Sequence, residues 1–221
     1  MVMVEIIPTV VPHSVDDIQK AAAMYRGFAP VLHVDFADGL FAPNTTWLPS
    51  IHEGTSLALS GVVLEAHLMV QEPQEIGERL ARAGYRRIIG HVEAMAHVGE
   101  TLAAWRESGA REVGLGILAR TPLEALDPYM TQLDMVQMMT ISKIGVQGLP
   151  FDERSPTRVA ALHRVYPRLL ISVDGGVGEK TIGLLAAAGA RRFCAGSVLS
   201  KSSDPASTYR TLIALAESGV E

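Results

Sequence analysis

Short, β-branched, apolar runs alternate with longer amphipathic stretches along the chain, and this alternation limits the possible folds more than any other feature of the sequence. The runs predict strands at Glu5–Val11, Val31–Phe36, Val62–Leu68, Arg87–His91, Glu112–Leu118, Met135–Ile141, Leu169–Val173 and Arg192–Ala195. Helical periodicity falls between them, at Val15–Tyr25, Pro73–Ala83, Glu100–Glu107, Pro156–Val165, Lys180–Ala188 and Pro205–Glu217. Strict alternation of this kind implies parallel strands covered by helices. The strands are close to continuously hydrophobic, as expected when both faces are buried. Eight strands in 221 residues match a single closed (β/α)₈ barrel, the TIM-barrel class of α/β fold. An open doubly wound sheet is the alternative, which spacing alone does not exclude.

Local signals support these elements. Ser14 precedes Val15-Asp16-Asp17, an N-cap with acids in the first turn. Thr121-Pro122-Leu123-Glu124 reads as a capping box with proline at the first helical position. Gly84 and Gly189 stand where helices should stop. Pro43 to Gly61 reads as a long connection with a short helix, and connections of that length are often functional. No linker or composition shift marks a second domain, so one domain over 1–221 is expected.

Composition excludes several classes. The formal charge is −5 with both signs interspersed; no basic stripe suggests nucleic acid. No apolar run reaches about 18 residues, so no spanning helix is expected. The start, Met-Val-Met-Val-Glu, lacks the pattern of a signal peptide. Cys194, the one cysteine, lies in an apolar run and is expected to be a buried structural thiol. A reducing, cytoplasmic setting fits.

In such a barrel, catalytic groups stand at the C-terminal strand ends. His33 and Asp35 lie two apart at the end of the second strand, so both point to one face. His67 ends the third strand and Asp174 follows the seventh. Taken singly, each has a plain explanation: a hydrogen-bonded core histidine, or an aspartate capping a helix. Together, two imidazoles and two carboxylates form a plausible shell for Zn²⁺, Fe²⁺ or Mn²⁺, or an acid–base set.

Ordered motifs add to this. His33-Val-Asp-Phe-Ala-Asp-Gly-Leu-Phe-Ala-Pro-Asn44, Ala66-His-Leu-Met-Val70 with Pro73, His91-Val-Glu-Ala94, Val173-Asp-Gly-Gly-Val177 with Thr181-Ile182, and Ala195-Gly-Ser197 with Asp204-Pro205 occur in sequence. Over nearly its whole length the chain resembles the ribulose-phosphate 3-epimerases. The resemblance implies a divalent metal on His33, Asp35, His67 and Asp174. It implies that Asp35 and Asp174 transfer protons on opposite faces of the substrate, inverting C3 through an enediolate. It places the sugar phosphate near Thr9, Met69 and Met139, and its phosphate near the backbone of Gly145, Gly148, Gly175, Gly176, Gly196 and Ser197. It also implies a homo-oligomer.

Departures cluster where substrate would sit. The family's glycine-rich loop after strand six becomes Met139-Thr-Ile-Ser-Lys-Ile-Gly-Val-Gln-Gly-Leu-Pro-Phe151, with Lys143 new. Lys143 is either a point charge for phosphate or a solvent-facing lysine. In the first strand Thr9 replaces a serine, Pro12 replaces another, and His13 has no assigned role; Ala37 replaces a methionine, and Leu118-Ala-Arg-Thr121 replaces N-P-G-T. Ribulose 5-phosphate is the default substrate, with allulose 6-phosphate or another ketose phosphate next. Two other readings compete. One is a sugar-phosphate decarboxylase, which needs D-x-K-x-x-D, whereas Asp35-Phe-Ala-Asp38 lacks the lysine. The other is a barrel that binds a phosphorylated ligand or a partner protein without turnover.

Overall fold

A computed structural model describes residues 4–48, 61–145 and 149–220. Eight parallel strands close into a barrel in sequence order. They are β1 (Glu5–Val10), β2 (Val31–Ala37), β3 (Val63–Met69), β4 (Arg87–His91), β5 (Glu112–Ile117), β6 (Met135–Met139), β7 (Leu170–Asp174) and β8 (Arg192–Ala195). The helices are α1 (Val15–Tyr25), α2 (Gln74–Ala83), α3 (Val98–Glu107), α4 (Ser155–Val165), α5 (Ile182–Ala187), α6 (Ser197–Ser200) and α7 (Pro205–Val220). Pairing of β1 with β8, Glu5 opposite Arg192 through Pro8 opposite Ala195, excludes the open sheet.

Alternation divides each strand between two environments. Leu32, Val34 and Phe36 of β2 join Leu64, Ala66 and Leu68 of β3 in the hydrophobic core outside the barrel wall, together with Leu80, Leu102 and Trp105 of α2 and α3. The intervening residues face inward, and there the chain departs from the continuously apolar expectation. His33, Glu65, His67, His91, Gln137 and Ser172 are buried polar side chains. The interior is therefore held by hydrogen bonds and ion pairs in place of the branched apolar layers usual in such barrels.

At the N-terminal ends of the strands, Arg87 bonds both carboxylate oxygens of Glu5 at 2.9 and 3.1 Å and approaches Glu112 at 3.3 Å. Arg192 meets the same two acids at 2.8 and 2.7 Å. These pairs balance the charge of the half-buried Glu5 and Glu112.

The local signals fare unevenly. Ser14 caps α1 in a reciprocal capping box with Asp17, and Gly84 takes the left-handed conformation, φ 110°, that ends α2. The capping box expected at Thr121 does not form. Leu123–Tyr129 is a 3₁₀ helix, Pro122 precedes it without a side-chain cap, and Pro128 lies inside it. A proline there has no N–H to donate, which disfavours a regular α-helix. Asp38 ties the loop after β2 to that after β3, accepting N–H groups of Leu40, Phe41 and Gln71 at 2.8, 3.1 and 2.8 Å. Most of the short helix expected between Pro43 and Gly61 falls outside the described residues.

Candidate functional site

Strand register assembles the cluster. In the β2–β3 pair, His33 stands opposite Glu65 and Asp35 opposite His67. Across the barrel Asp174 ends β7 opposite Cys194. His33, Asp35, His67 and Asp174 each offer a ligand atom, and these atoms lie within 4.8 Å of one another. His67 Nδ1 faces Asp35 at 2.9 Å and Asp174 at 3.4 Å. His33 Nε2 faces Asp35 at 3.3 Å and is buried without a hydrogen-bond partner among the described residues.

The donor set fits a divalent cation. Ligands about 2.0–2.2 Å from an ion lie at most about 4.4 Å apart, so only small shifts would bring these four to one centre. A second grouping, His33 with Glu65 and Cys194, fits less well: burial raises the Cys194 thiol to about 12, against the thiolate form a metal needs.

The two aspartates differ in proton affinity. Burial pushes the Asp35 carboxyl up, but the imidazoles of His33 and His67 beside it outweigh burial and hold the group well below the usual carboxylate range. Burial and then the charge of Asp35 push Asp174 up to about 6. Burial opposes a proton on His33, yet Cys194, Asp35 and Glu65 together hold it well above the ordinary imidazole value. Because burial raises Cys194 itself to about 12, that thiol is neutral, and we assign the effect on His33 to the two carboxylates. Cys194 is buried, as expected.

Residues to which the sequence assigned no role support the cluster. Glu65, fully buried, accepts from His33 Nδ1 and lies 3.5 Å from Arg87, which links the cluster to the barrel floor. Burial raises Glu65, but His33 and Arg87 outweigh it, and the carboxylate stays ionised. The available signal was a charged residue two positions before His67 on an apolar strand. His67 Nε2 lies 2.9 Å from His91 Nε2. Gln137 Nε2 donates to Asp174 at 3.4 Å. Thr140 clamps the Asp174 backbone, its N–H and hydroxyl reaching the Asp174 carbonyl at 2.8 and 3.0 Å, and its hydroxyl also bonding the Gly175 carbonyl.

Above the cluster opens a pocket lined by Thr9, Val11, Asp35, Met69, Met139, Ile141, Gly145, Leu149, Asp174, Gly175, Gly176, Val177, Cys194, Gly196 and Ser197. Its volume of about 110 Å³ is several times the ~10–15 Å³ a single water requires, so it can admit a small solute. Thr9, Met69, Met139, Gly145, Gly175, Gly176, Gly196 and Ser197 thus come together here, while His33 and His67 are buried and line no part of it. Gly148 lies outside the described residues. Lys143 is exposed and absent from the lining. His13 is exposed; its backbone N–H donates to Asp17 at 2.8 Å. Gly175, at φ 106°, makes the turn after β7 in a conformation side-chain-bearing residues rarely adopt.

Comparison with known proteins defines first the fold class and then the family. The barrel is similar to a solved 3-keto-L-gulonate-6-phosphate decarboxylase from Vibrio cholerae, with TM-score 0.71 at 15% identity over 98% of both chains. It is also similar to 3-hexulose-6-phosphate synthase from Salmonella typhimurium, with TM-score 0.69 at 13% identity over 97% of this chain and 99% of that one. At such identities these likenesses show the fold alone: a (β/α)₈ barrel. The sequence model of the ribulose-phosphate 3 epimerase family matches residues 4–200. The ribulose-phosphate 3-epimerase of Schizosaccharomyces pombe is 31% identical, covering 93% of this chain and 90% of that protein. That of Aquifex aeolicus is 32% identical over 91% of each, and that of Escherichia coli K12 is 35% identical over 81% and 80%. The chain belongs to the ribulose-phosphate 3-epimerase family and is an enzyme of the epimerase class. No helix among the described residues is long and apolar enough to cross a membrane.

Proposed function

We propose that the protein inverts C3 of a ketose phosphate, with ribulose 5-phosphate first and a related pentulose or hexulose phosphate second, and that it works with a divalent metal, Zn, Fe or Mn. The observation that carries this reading is the pair Asp35 and Asp174, on β2 and β7, lining one pocket and sharing one imidazole, His67 Nδ1. Two carboxylates reaching one substrate from different strands suit proton removal on one face and proton return on the other. In one direction Asp35 takes the C3 proton, leaving an enediolate, and Asp174 delivers a proton to the opposite face; in the reverse direction they exchange roles. His33 and His67 hold Asp35 in place, and Gln137 and Thr140 hold Asp174. His33, Asp35, His67 and Asp174 would hold the metal, which when bound supplies positive charge beside the substrate oxygens and the carboxylates.

The phosphate is read onto backbone N–H groups around Gly175, Gly176, Gly196 and Ser197, with Gly145 and Gly148 as further candidates. Backbone N–H groups at tight glycine turns suit an anion. The exposed position of Lys143 favours the solvent-facing reading of that residue. Thr9, Met69 and Met139 are read as walls for the sugar. A homo-oligomer, a cytoplasmic setting and no nucleic-acid partner belong to the same reading. The test is a screen of ketose phosphates in D₂O with metal-loaded protein. Deuterium entering at C3 with inversion supports the proposal; no exchange into any of them sinks it.

Metal binding should be pH-dependent. Asp174 is raised from 3.8 to about 6 and His33 well above 6.5, so both bind protons more tightly folded than unfolded. The stability they lend the metal-free protein is present below 3.8 and 6.5 respectively, and is lost as pH rises through the folded values. Asp35 has the opposite sign and acts only in more acidic solution. A metal ion must displace those protons. The rise in Tm on adding Zn²⁺ is therefore expected to be larger near pH 8 than near pH 5.5. An increment that does not change with pH would contradict this.

A further inference from the structure

The motif His91-Val-Glu93 ends β4 and enters the short helix after it, and the proton-transfer reading gives it no task. Its side chains stand directly behind His67. His67 Nε2 and His91 Nε2 are 2.9 Å apart, both residues being fully buried. His91 Nδ1 faces Glu93 Oε2 at 3.4 Å, and Glu93 Oε1 is anchored by the Leu118 N–H at 2.8 Å.

The proton pattern follows from what each group can do. An ionised carboxylate only accepts hydrogen bonds. The proton of a neutral His91 therefore belongs on Nδ1, facing Glu93, and its Nε2 carries a lone pair. A 2.9 Å contact between two ring nitrogens needs one proton between them. That proton must come from His67 Nε2. Without metal, Nδ1 donates to Asp35 at 2.9 Å; when a metal ion displaces that proton, Nε2 keeps its own proton toward His91 and the lone pair of His67 lies on Nδ1, the atom that faces Asp35 and Asp174.

The seat of His91 is also built for it. The ring lies over Gly116 of β5, where a Cβ would come within 3.0–3.2 Å of three ring atoms. The Phe41 ring packs on it with centroids 5.1 Å apart. His91 can neither retreat from His67 nor share its place with a larger neighbour.

We propose that Glu93 and His91 form a fixed relay that sets the tautomer of His67 and directs its Nδ1 lone pair into the cluster as a metal ligand. His91 is a positioning residue: it reaches neither the pocket nor the four-atom cluster and acts only through His67. The assignment rests on the reading of His33, Asp35, His67 and Asp174 as a metal site. Partners of this kind fix the ring orientation and basicity of a ligating histidine, and losing one typically weakens metal affinity about 10- to 100-fold.

The test measures Zn²⁺ affinity of the whole protein by competition with a chromophoric chelator, with the apo-protein melting curve as the folding control. His91→Leu, which removes the acceptor, is expected to bind Zn²⁺ about 10- to 100-fold more weakly. His91→Gln, whose amide oxygen can occupy the Nε2 position, is expected to stay near the wild-type value. Long-range ¹⁵N–¹H NMR of the Zn²⁺-loaded wild type should show protons on His67 Nε2 and His91 Nδ1 and none on His91 Nε2. That spectrum decides the matter even if His91→Leu does not fold. Wild-type binding with equal affinity in folded His91→Leu, or a proton on His91 Nε2, overturns the relay alone. Absence of Zn²⁺ binding by the wild type overturns the metal reading and the relay with it.

Discussion

Asp174→Asn is expected to lower the rate of proton exchange at C3 of the substrate by about 10²- to 10⁴-fold, the usual contribution of a positioned acid or base, while leaving the fold intact. The substitution keeps the shape of the side chain, and its amide oxygen can still accept from Gln137. It removes only the ability to carry a proton. The stability side of this prediction has a definite sign. Burial and the neighbouring Asp35 raise the Asp174 carboxyl to about 6, so above that pH its charge opposes folding in the metal-free protein. The neutral asparagine should melt no lower than the metal-free wild type at pH 8. Asp35→Asn should behave differently. Asp35 accepts from His67 at 2.9 Å and faces His33 at 3.3 Å, so its loss should reduce both exchange and melting temperature. Deuterium incorporation followed by ¹H NMR, with thermal melts of each variant, tests both statements. Exchange by Asp174→Asn within tenfold of wild type would remove that residue from the proton-transfer role.

The largest effect on stability is expected at the barrel floor, far from the pocket. Arg87→Met should cost about 3–5 kcal/mol, the range for removing one partner of a buried ion pair. Arg87 bonds Glu5 through two nitrogens and approaches Glu112, but the decisive partner is Glu65. Glu5 and Glu112 keep Arg192 at 2.8 and 2.7 Å. Glu65 is fully buried and has its ion pairs only with His33 and Arg87 among the described residues. Without Arg87 its outer oxygen faces no cation at contact distance. Adding Glu65→Leu to Arg87→Met should recover part of the loss, because the stranded charge is removed along with its partner. Urea denaturation of the two variants decides this. A cost under about 1 kcal/mol for Arg87→Met, with no recovery in the double variant, would mean that the floor is hydrated and the pairing adds little.

The effect reaches the pocket through Glu65. That carboxylate holds His33 Nδ1 at 2.7 Å and thereby turns Nε2 toward Asp35. His33 is thus backed by an anion paired with Arg87 of the floor, and His67 by the imidazole of His91, which faces Glu93. Both histidines are placed from within the barrel.

The fold was legible in the chain because its determinants are local. Continuous apolar β-branched runs, period-3.6 helices, Ser14 before α1 and Gly84 after α2 each act within a few residues, and β4 and β8 fall at the bounds read from sequence. His33 and Asp35 share a face for the same reason, since residues two apart on a strand must. Thr121 misled because one local signal, the S/T-x-x-E pattern, competed with another, Pro128, and the proline prevailed. The polar interior was harder to read. Inward positions such as Glu65, Gln137 and Ser172 look like isolated interruptions until closure places them together.

The sequence by itself determined eight alternating β/α units, the four candidate ligands at strand ends and, through ordered motifs, the epimerase family. Only the tertiary structure decided that the sheet closes, that Glu65 lies against His33 and that His91 meets His67. Those pairings depend on inter-strand register and on β1 joining β8. Register and closure are set by packing between residues distant in sequence, which no local pattern encodes.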